Sequence, residues 1–240
     1  ISANPGRFQF NQACIEVGCF SGDDPNTHTI EINKAGGTFV LTGDIYVNNA
    51  DLNGQPLISV EAPLGETAVV IDLNGYRIQL RGTPSSGTYG ILVAGGEAVV
   101  TIKNGTISGF EDGIRTSLDS TLLIENLVFQ ENTDDAVQAG VAVIKNSVFD
   151  NNRFGINALN AGSGLLGDRI VLDSNLFIDN GGEQDLVFGM LNTNVCKDNV
   201  VAYPLAAGND FDSCTLVGFN LCNDAACTVN RSSESSADKE

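Results

Sequence analysis

Acidic pairs and arginines recur in the middle of the chain at intervals of roughly 20 residues. The acidic pairs are Glu111–Asp112 and Asp134–Asp135, and the arginines are Arg115 and Arg153. Two carboxyl groups held close together can act as general acid and general base in glycoside hydrolysis. Carboxylate oxygens are also the ligands that Ca²⁺ prefers in proteins. These residues could form an acid–base pair or a calcium site, provided that the fold stacks them on one side.

A strand–turn–strand pattern centred on asparagine repeats along most of the chain. Each copy has an alternating apolar strand, a polar pair that ends in Asn and a second short apolar strand, as in VVIDLNGYRI at 69–78. The central residues are Asn74, Asn104, Asn126, Asn146, Asn175, Asn199 and Asn220, at intervals of 20 to 30 residues. Period-2 alternation, broken by Gly, Asn and Asp, predicts stacked β-strands rather than helical repeats.

The repeated asparagines have a structural explanation. Asn tolerates the left-handed backbone conformation that a sharp corner between two strands requires. At the usual ~4.8 Å spacing of strands, stacked Asn side chains can also hydrogen-bond to one another. We therefore expect all seven to be structural. We also expect the side chain of Asn104 to point inward, so that the glycosylation sequon that begins there is unused.

The sequence predicts an all-β protein that forms a single-stranded right-handed parallel β-helix. Residues 1–29 are expected to form an N-terminal cap, because an uncovered end coil would expose apolar side chains and strand edges. Residues 30–222 form the β-helix, and residues 223–240 are expected to be a flexible tail. Lys103, Glu125 and Lys145 are predicted to stack on successive coils, where their alternating charges would pair.

The repeats and the preceding segment GGTFVLTGDIYV at 36–47 resemble the pectate-lyase-like superfamily of parallel β-helices over roughly residues 30–222. That superfamily includes polysaccharide lyases, glycoside hydrolases, esterases, epimerases, phage spikes and adhesins, so the resemblance implies a fold more narrowly than an activity. The segment ENTDDAVQAG at 131–140 is loosely similar to the aspartate motifs of polygalacturonases. The Gly-His-Gly and Arg-Ile-Lys motifs of those enzymes do not occur in this sequence.

Aligning the coils predicts a third strand in each, which begins at Tyr89, Asp112, Asp135 and Phe154. Alternation predicts three sets of side chains. The inward set is Ile91, Ile114, Val137 and Ile156. The outward sets are a small one of Gly90, Gly113, Ala136 and Gly155, and a larger one of Leu92, Arg115, Gln138 and Asn157. A floor of small residues flanked by polar ones would form a shallow groove along the rod.

Polar groups that converge on such a groove are the natural candidates for a binding site. The predicted catalytic residues are Arg115, Asp134, Asp135 and Arg153. The predicted substrate contacts are Tyr89, Gln138 and Asn157, and the predicted calcium ligands are Asp112, Asp134 and Asp135. In calcium-dependent lyases of the superfamily, the metal offsets the charge of a uronate, and the resemblance implies that Arg115 or Arg153 would remove or shield the proton. The alternative is that these acids bond to their own turns or bind calcium only for stability.

Two functions remain open from the sequence. The first is a secreted carbohydrate-active protein of the polysaccharide lyase or glycoside hydrolase type, with a polysaccharide as its partner. The second is a non-catalytic surface, adhesion or spike module. The absence of Trp and the presence of four Tyr argue against a sugar site built on aromatic stacking.

Charge and hydropathy exclude other classes of partner. The chain has 30 acidic and 12 basic residues, and a net charge of −18 repels nucleic acid. No apolar run approaches the ~20 residues that a membrane-spanning helix needs. We expect a monomer.

The six cysteines lie near the two ends of the chain and indicate an oxidising compartment, so we expect a secreted protein, either extracellular or periplasmic. Six cysteines allow 15 pairings. We favour Cys14–Cys19, Cys196–Cys214 and Cys222–Cys227.

Overall fold

The computed structural model describes residues 6–20, 28–32, 36–61, 68–94, 99–117, 120–158, 169–180, 186–187, 194–202, 214–222 and 225–226. In this part of the chain, parallel strands stack coil upon coil on three faces of a right-handed β-helix, as the sequence predicts. The predicted tail lies outside the described residues except for 225–226. The boundaries of the cap and the tail stay predictions.

The first face carries the strands that precede the asparagine corners. Its strands are β1 (Arg7–Phe10), β3 (Gly37–Leu41), β6 (Ala68–Asp72), the first half of β9 (Val99–Ser108), the first half of β11 (Thr121–Gln130), β13 (Val141–Lys145), β16 (Arg169–Asp173), β19 (Asn194–Lys197) and β21 (Cys214–Val217). Lys103, Glu125 and Lys145 are directly in register on this face, which confirms their predicted stacking.

The second face follows the corner. It holds β4 (Ile45–Asn48), β7 (Arg77–Arg81), the second halves of β9 and β11, β14 (Val148–Asp150), β17 (Leu176–Ile178), β20 (Val200–Ala202) and β22 (Leu221–Cys222), and the short β23 (Ala225–Ala226) pairs antiparallel with β22. Strands β9 and β11 run through the corner without a break, so the first and second faces form one continuous hydrogen-bonded sheet.

The third face is a separate sheet and carries the strands on which the groove was predicted. Its strands are β2 (Ile30–Ile32), β5 (Ile58–Glu61), β8 (Ile91–Ala94), β10 (Ile114–Thr116), β12 (Asp135–Ala139), β15 (Phe154–Ala158) and β18 (Leu186–Val187). Two short helices, α1 (Gln12–Val17) and α2 (Asn49–Leu52), complete the described elements. Each is shorter than two turns, and neither is long and apolar enough to cross a membrane.

The core is a column of apolar side chains, most of them aliphatic, and it is enclosed by the three faces. It includes a stack of Phe129, Phe149 and Phe177 on the second face, with ring centroids 5.0 and 4.6 Å apart. Offset stacking of aromatic rings adds to the free energy gained by burying them. Each of these three rings is fully buried.

The seven repeated asparagines occupy two different positions, and the expectation that the Asn104 side chain points inward is wrong. Asn74, Asn104, Asn126 and Asn146 have positive φ and turn the corner with partly or fully exposed side chains. In the later coils Ser174 and Asp198 turn the corner instead. Asn175, Asn199 and Asn220 lie one position further on, where they are buried. Their amides bond in a ladder, from Asn175 Nδ2 to Asn199 Oδ1 and from Asn199 Nδ2 to Asn220 Oδ1.

This one-residue difference changes the interpretation of the Asn104 sequon. The Asn104 side chain is half-exposed, donates to Asp72 Oδ1 and accepts from Asn126 Nδ2. Because the Asn104 side chain does not point into the core, its orientation does not exclude glycosylation at this sequon.

A second buried amide ladder, which was not predicted from the sequence, lies at the corner before the third face. Asn152 Oδ1 accepts from the backbone N–H and the amide of Asn132, while Asn152 Nδ2 donates to Phe129 O and Asn180 Oδ1. The residues just before it, Glu131 and Asn151, take the positive φ of the turn. This ladder fixes the geometry of the turn that leads into the candidate site.

The Cys14–Cys19 disulfide confirms one predicted pairing. Cys196 is also disulfide-bonded and buried. Its predicted partner and the pair Cys222–Cys227 lie outside the described side chains, so those two pairings stay predictions.

Removal of the middle rung of the second ladder should destabilise the β-helix. The change Asn152→Ala leaves a buried N–H and a buried amide of Asn132 without an acceptor, which should lower the free energy of unfolding by about 2–4 kcal/mol. Urea unfolding followed by circular dichroism measures this. The matched control is Asn126→Gly, at an exposed corner with φ of 56° that suits glycine, and it should change stability by less than about 0.5 kcal/mol. Equal effects of the two changes would contradict the ladder's role.

Candidate functional site

The outward polar column on the third face forms as predicted. Leu92, Arg115, Gln138 and Asn157 are in register on β8, β10, β12 and β15, and each is half-buried. Ile91, Ile114, Val137 and Ile156 stack directly behind them and are fully buried. Alternation along these strands thus gave the correct inward and outward assignment.

The predicted floor of small residues is wrong. Gly90, Gly113, Ala136 and Gly155 are buried, and Gly90 and Gly113 lie at the corner just before β8 and β10 begin. A Cβ on Gly113 would lie 2.9 Å from the Phe129 ring and 2.6 Å from Ala136 O. These residues are small because the core is crowded there, so the strip is not a groove lined by glycine.

A column formed by Tyr89, Asp112, Asp135 and Phe154 lies in place of that floor. Asp135 and Phe154 are in register, and Asp112 and Tyr89 occupy the same position on the two preceding coils. The Asp112 side chain is 1 % exposed, accepts from the backbone N–H of Asp135 at Oδ1 and forms a 3.1 Å ion pair with Arg115 at Oδ2. The Arg115 guanidinium carbon also lies 5.0 Å from the Tyr89 ring centroid.

Asp135 is held by the amides of the outward column. Its Oδ2 accepts from Gln138 Nε2 at 3.0 Å and from Asn157 Nδ2 at 2.9 Å. Its Oδ1 is buried and has no hydrogen-bond partner among the described residues. A buried acceptor without a partner costs roughly 1–3 kcal/mol, so this atom is suited to a proton or a ligand.

Asp134 is the exposed member of the acidic group. Its Oδ1 forms a 3.1 Å ion pair with Arg153, whose guanidinium also covers the Phe154 ring. Glu111, on the preceding coil, accepts from the backbone N–H of Gly87 at 2.6 Å and so ties down the 83–87 insertion. Both predicted arginines are therefore paired with acids, Arg115 with Asp112 and Arg153 with Asp134.

The three predicted calcium ligands converge. One carboxylate oxygen from each of Asp112, Asp134 and Asp135 lies within 4.8 Å of the other two. We call this group the acidic triad. Two oxygen ligands that each lie 2.3–2.6 Å from one Ca²⁺ ion are at most about 5 Å apart. The three carboxylate oxygens meet this limit, so the set of donors fits a calcium ion.

Comparison with known families agrees with this architecture. Residues 65–201 match the family model described as a right handed beta helix region. The chain belongs to the right-handed β-helix family. No curated protein and no solved structure matches it. Since β-helices host many functions, the family fixes the architecture, and the function of this β-helix must be argued from its residues.

Burial dominates the electrostatics of the acidic triad. Burial is the largest effect on Asp135 and raises its pKa to about 7. The hydrogen bond from Asn157 opposes this increase, and the charge of Asp112 adds to it. Burial also raises the pKa of Asp112 to about 6, although the bond from Asp135 N and the charge of Arg115 oppose the increase. Because a β-helix stacks equivalent residues, the two acids of this column share a small desolvated space. With a pKa of about 7, Asp135 therefore holds a proton much of the time near neutral pH.

A cleft that was not predicted from the sequence adjoins this strip. It has a volume of about 420 Å³ and is lined by Gln79–Pro84, Gly109, Glu131 and Thr133, the last of which precedes Asp134. Arg81 lies over the Tyr46 ring at 4.4 Å from its centroid on the same side. The alternation of apolar and polar residues in β7 puts Gln79 and Arg81 on the outside, and this pattern was a signal for the cleft in the sequence.

The raised pKa values predict an unusual dependence of stability on pH. In the native protein Asp112 and Asp135 keep their protons up to pH about 6 and about 7, whereas the ordinary pKa of an aspartate is 3.8. The native state therefore binds more protons than the unfolded state between these values, so the free energy of unfolding should rise as the pH falls from 8 to 5. Asp135→Asn removes the share of Asp135, which is on the order of 3 kcal/mol because this carboxyl takes up its proton about two pH units above pH 5.

Urea unfolding in EDTA at several pH values tests this. Asp135→Asn should show a flatter pH profile than wild type and a gain in stability at pH 8. Asp150→Asn, on the second face, should keep the wild-type profile. Parallel profiles for wild type and Asp135→Asn would contradict the raised pKa of Asp135.

Proposed function

We propose that this β-helix is a secreted carbohydrate-active protein that binds a polysaccharide along its third face and hydrolyses it at the acidic triad. The observation that carries the proposal is the convergence of three carboxylate oxygens within 4.8 Å, beside an outward column of Arg115, Gln138 and Asn157. The outward column repeats over four successive coils, which suits an extended polymer better than a small ligand. The Cys14–Cys19 disulfide supports export to an oxidising compartment.

The two aspartates in sequence would have different roles because their environments differ. Asp135 has a pKa raised by burial to about 7, so it can hold a proton at neutral pH and donate it to the glycosidic oxygen. Asp134 is partly exposed and ion-paired, so it can act as the carboxylate partner that activates water or attacks the sugar. Gln138 and Asn157 cover Asp135, so a sugar must displace at least one amide to reach the proton. Arg115 and Tyr89 would then bound the site on the preceding coils.

A panel of polysaccharides with and without Ca²⁺ tests the proposal. New reducing ends report cleavage by either route, and new ultraviolet absorbance reports the unsaturated ends that only a lyase produces. We expect reducing ends without new ultraviolet absorbance, and Asp134→Asn and Asp135→Asn should each lower the rate by at least about 100-fold.

The control for this assay is Glu125→Gln, at an exposed position on the first face, which should keep full activity. Because Asp135→Asn should be at least as stable as wild type at pH 8, loss of its activity would not reflect unfolding. Ultraviolet absorbance that rises together with the reducing ends would show that the protein is a lyase and not a hydrolase. Silence across neutral, acidic and amino polysaccharides would favour the non-catalytic surface module.

A calcium ion at the acidic triad is a second proposal, favoured by the unpartnered Asp135 Oδ1. Asp112, Asp134 and Asp135 would hold the ion, which would supply positive charge to the strip and offset the charge of an acidic sugar. Arg115 and Arg153 already neutralise two of these acids in part, which weakens the site.

Calorimetric titration with CaCl₂ tests this site. Calcium must displace the proton of Asp135, so its affinity should rise as the pH increases from 6 to 8. Asp135→Asn should lower the affinity at least tenfold, and Asp173→Asn on the first face should leave it unchanged. The absence of binding heat at millimolar CaCl₂ and pH 8 would rule out the site.

A further inference from the structure

The first face of the β-helix carries an outward charge ladder of six positions. In coil order the residues are Asp72, Lys103, Glu125, Lys145, Asp173 and Lys197, each in register with the next. Their charges alternate strictly along the rod, and Glu125, Lys145 and Lys197 are exposed. Within the chain, Lys103 and Lys197 lie 3.8 and 3.3 Å from the acids next to them.

This alternating order has a second consequence, beyond pairing within one chain. Because the ladder begins with an acid and ends with a lysine, reversing it puts the opposite charge at each of the six positions. If a second copy lies antiparallel across the face, each charge meets its opposite. Asp72 then faces Lys197 of the other copy, Lys103 faces Asp173, and Glu125 faces Lys145. Complementary charges across an interface fix its register and exclude other alignments.

A largely aliphatic column runs beside the charge ladder, two residues earlier in each strand. Its members are Val70, Thr101, Leu123, Val143, Val171 and Val195, and all are half-buried on the outside of the sheet. Val99 at 38 % exposure and Val141 extend the apolar surface on the far side. The same antiparallel placement brings Leu123 against Val143 of the other copy, so the apolar column also faces itself.

We propose that this β-helix forms an antiparallel homodimer through its first face, with the two-fold axis between Glu125 and Lys145. The axis lies in the interface along the strand direction, so each column faces its own reversed copy, as an isologous contact requires. The dimer would replace the monomer that the sequence suggested, and it leaves the third face open for the proposed function.

The expected strength follows from the size of the surface. Six coils span about 29 Å and the outward columns about 13 Å, from the usual strand spacing and rise. The footprint of about 400 Å² per copy is half of a standard interface, so the dimer should form reversibly at micromolar or higher concentration. Two copies of net charge −18 repel one another, and ~0.15 M salt limits this repulsion to about 8 Å.

Sedimentation equilibrium from 5 to 500 µM in 0.15 M NaCl tests the proposal. Wild type should pass from monomer to dimer in this range. Leu123→Lys should weaken the dimer at least tenfold, because it places charge at the centre of the apolar column. Val148→Lys, a half-buried aliphatic position on the second face, is the matched control and should not change the dimerisation constant.

A charge swap tests the register. Glu125→Lys puts like charges across the two-fold axis and should weaken the dimer, and adding Lys145→Glu should restore it. The double variant leaves like charges adjacent within each chain, so its unfolding midpoint should not recover, which separates the dimer from pairing within a chain. A monomer at every concentration, a dimer insensitive to Leu123→Lys, or a double variant that stays as weak as Glu125→Lys would each overturn the proposal. Activity of the acidic triad is independent of these outcomes.

Discussion

The in-register stacking of parallel strands is the constraint on which the rest of this molecule depends. Once one coil lies on another, each residue acquires fixed neighbours above and below, about 4.8 Å away. Backbone hydrogen bonds supply the spacing but would tolerate a slip of two residues along an alternating strand. Buried amide ladders prevent that slip. Asn152, for example, bonds both its neighbours and the backbone of Phe129, and a shifted register would bury those groups without partners.

The same constraint creates the candidate site. Stacking puts Asp135 in the position of Asp112 one coil further on, and neither side chain can move into solvent without leaving the column. Two carboxyls in one column lose hydration together, and this burial is the main reason why both pKa values rise. The charge of Asp112 raises the pKa of Asp135 further, and the charges of Asp134 and Glu111 raise that of Asp112. On the first face, where side chains are solvated, stacked positions alternate in charge instead. The contrast between the two faces follows from burial rather than from composition.

Much of this could be predicted from the sequence because alternation is a reliable signal within a strand. It gave the fold, the inward position of Ile114 and the outward position of Arg115 and Gln138. It failed at corners, where the chain stops alternating. Gly113 faces the core because the strand has not yet begun, and Asn104 and Asn175 differ by one position because either of two adjacent residues can carry the asparagine. Hydrogen bonds between coils, such as that from Asp135 N to Asp112, depend on this register and could not be predicted before it was known.

The molecule itself supplies a comparison that bears on the acids. At the corner before the third face, the stacked positions are filled by Asn132, Asn152 and Asn180, which bond one another with no charge to desolvate. An amide at 135 could accept from Gln138 and Asn157 as the carboxyl does, without the raised pKa. Its NH2 group would then take the place of Oδ1, which has no partner among the described residues. Asp112 and Asp135 lie next to the outward polar column rather than in the core, and one of their oxygens has no partner among the described residues. A proton or a cation on Asp135 Oδ1, as the proposed function requires, would occupy the position that has no partner there.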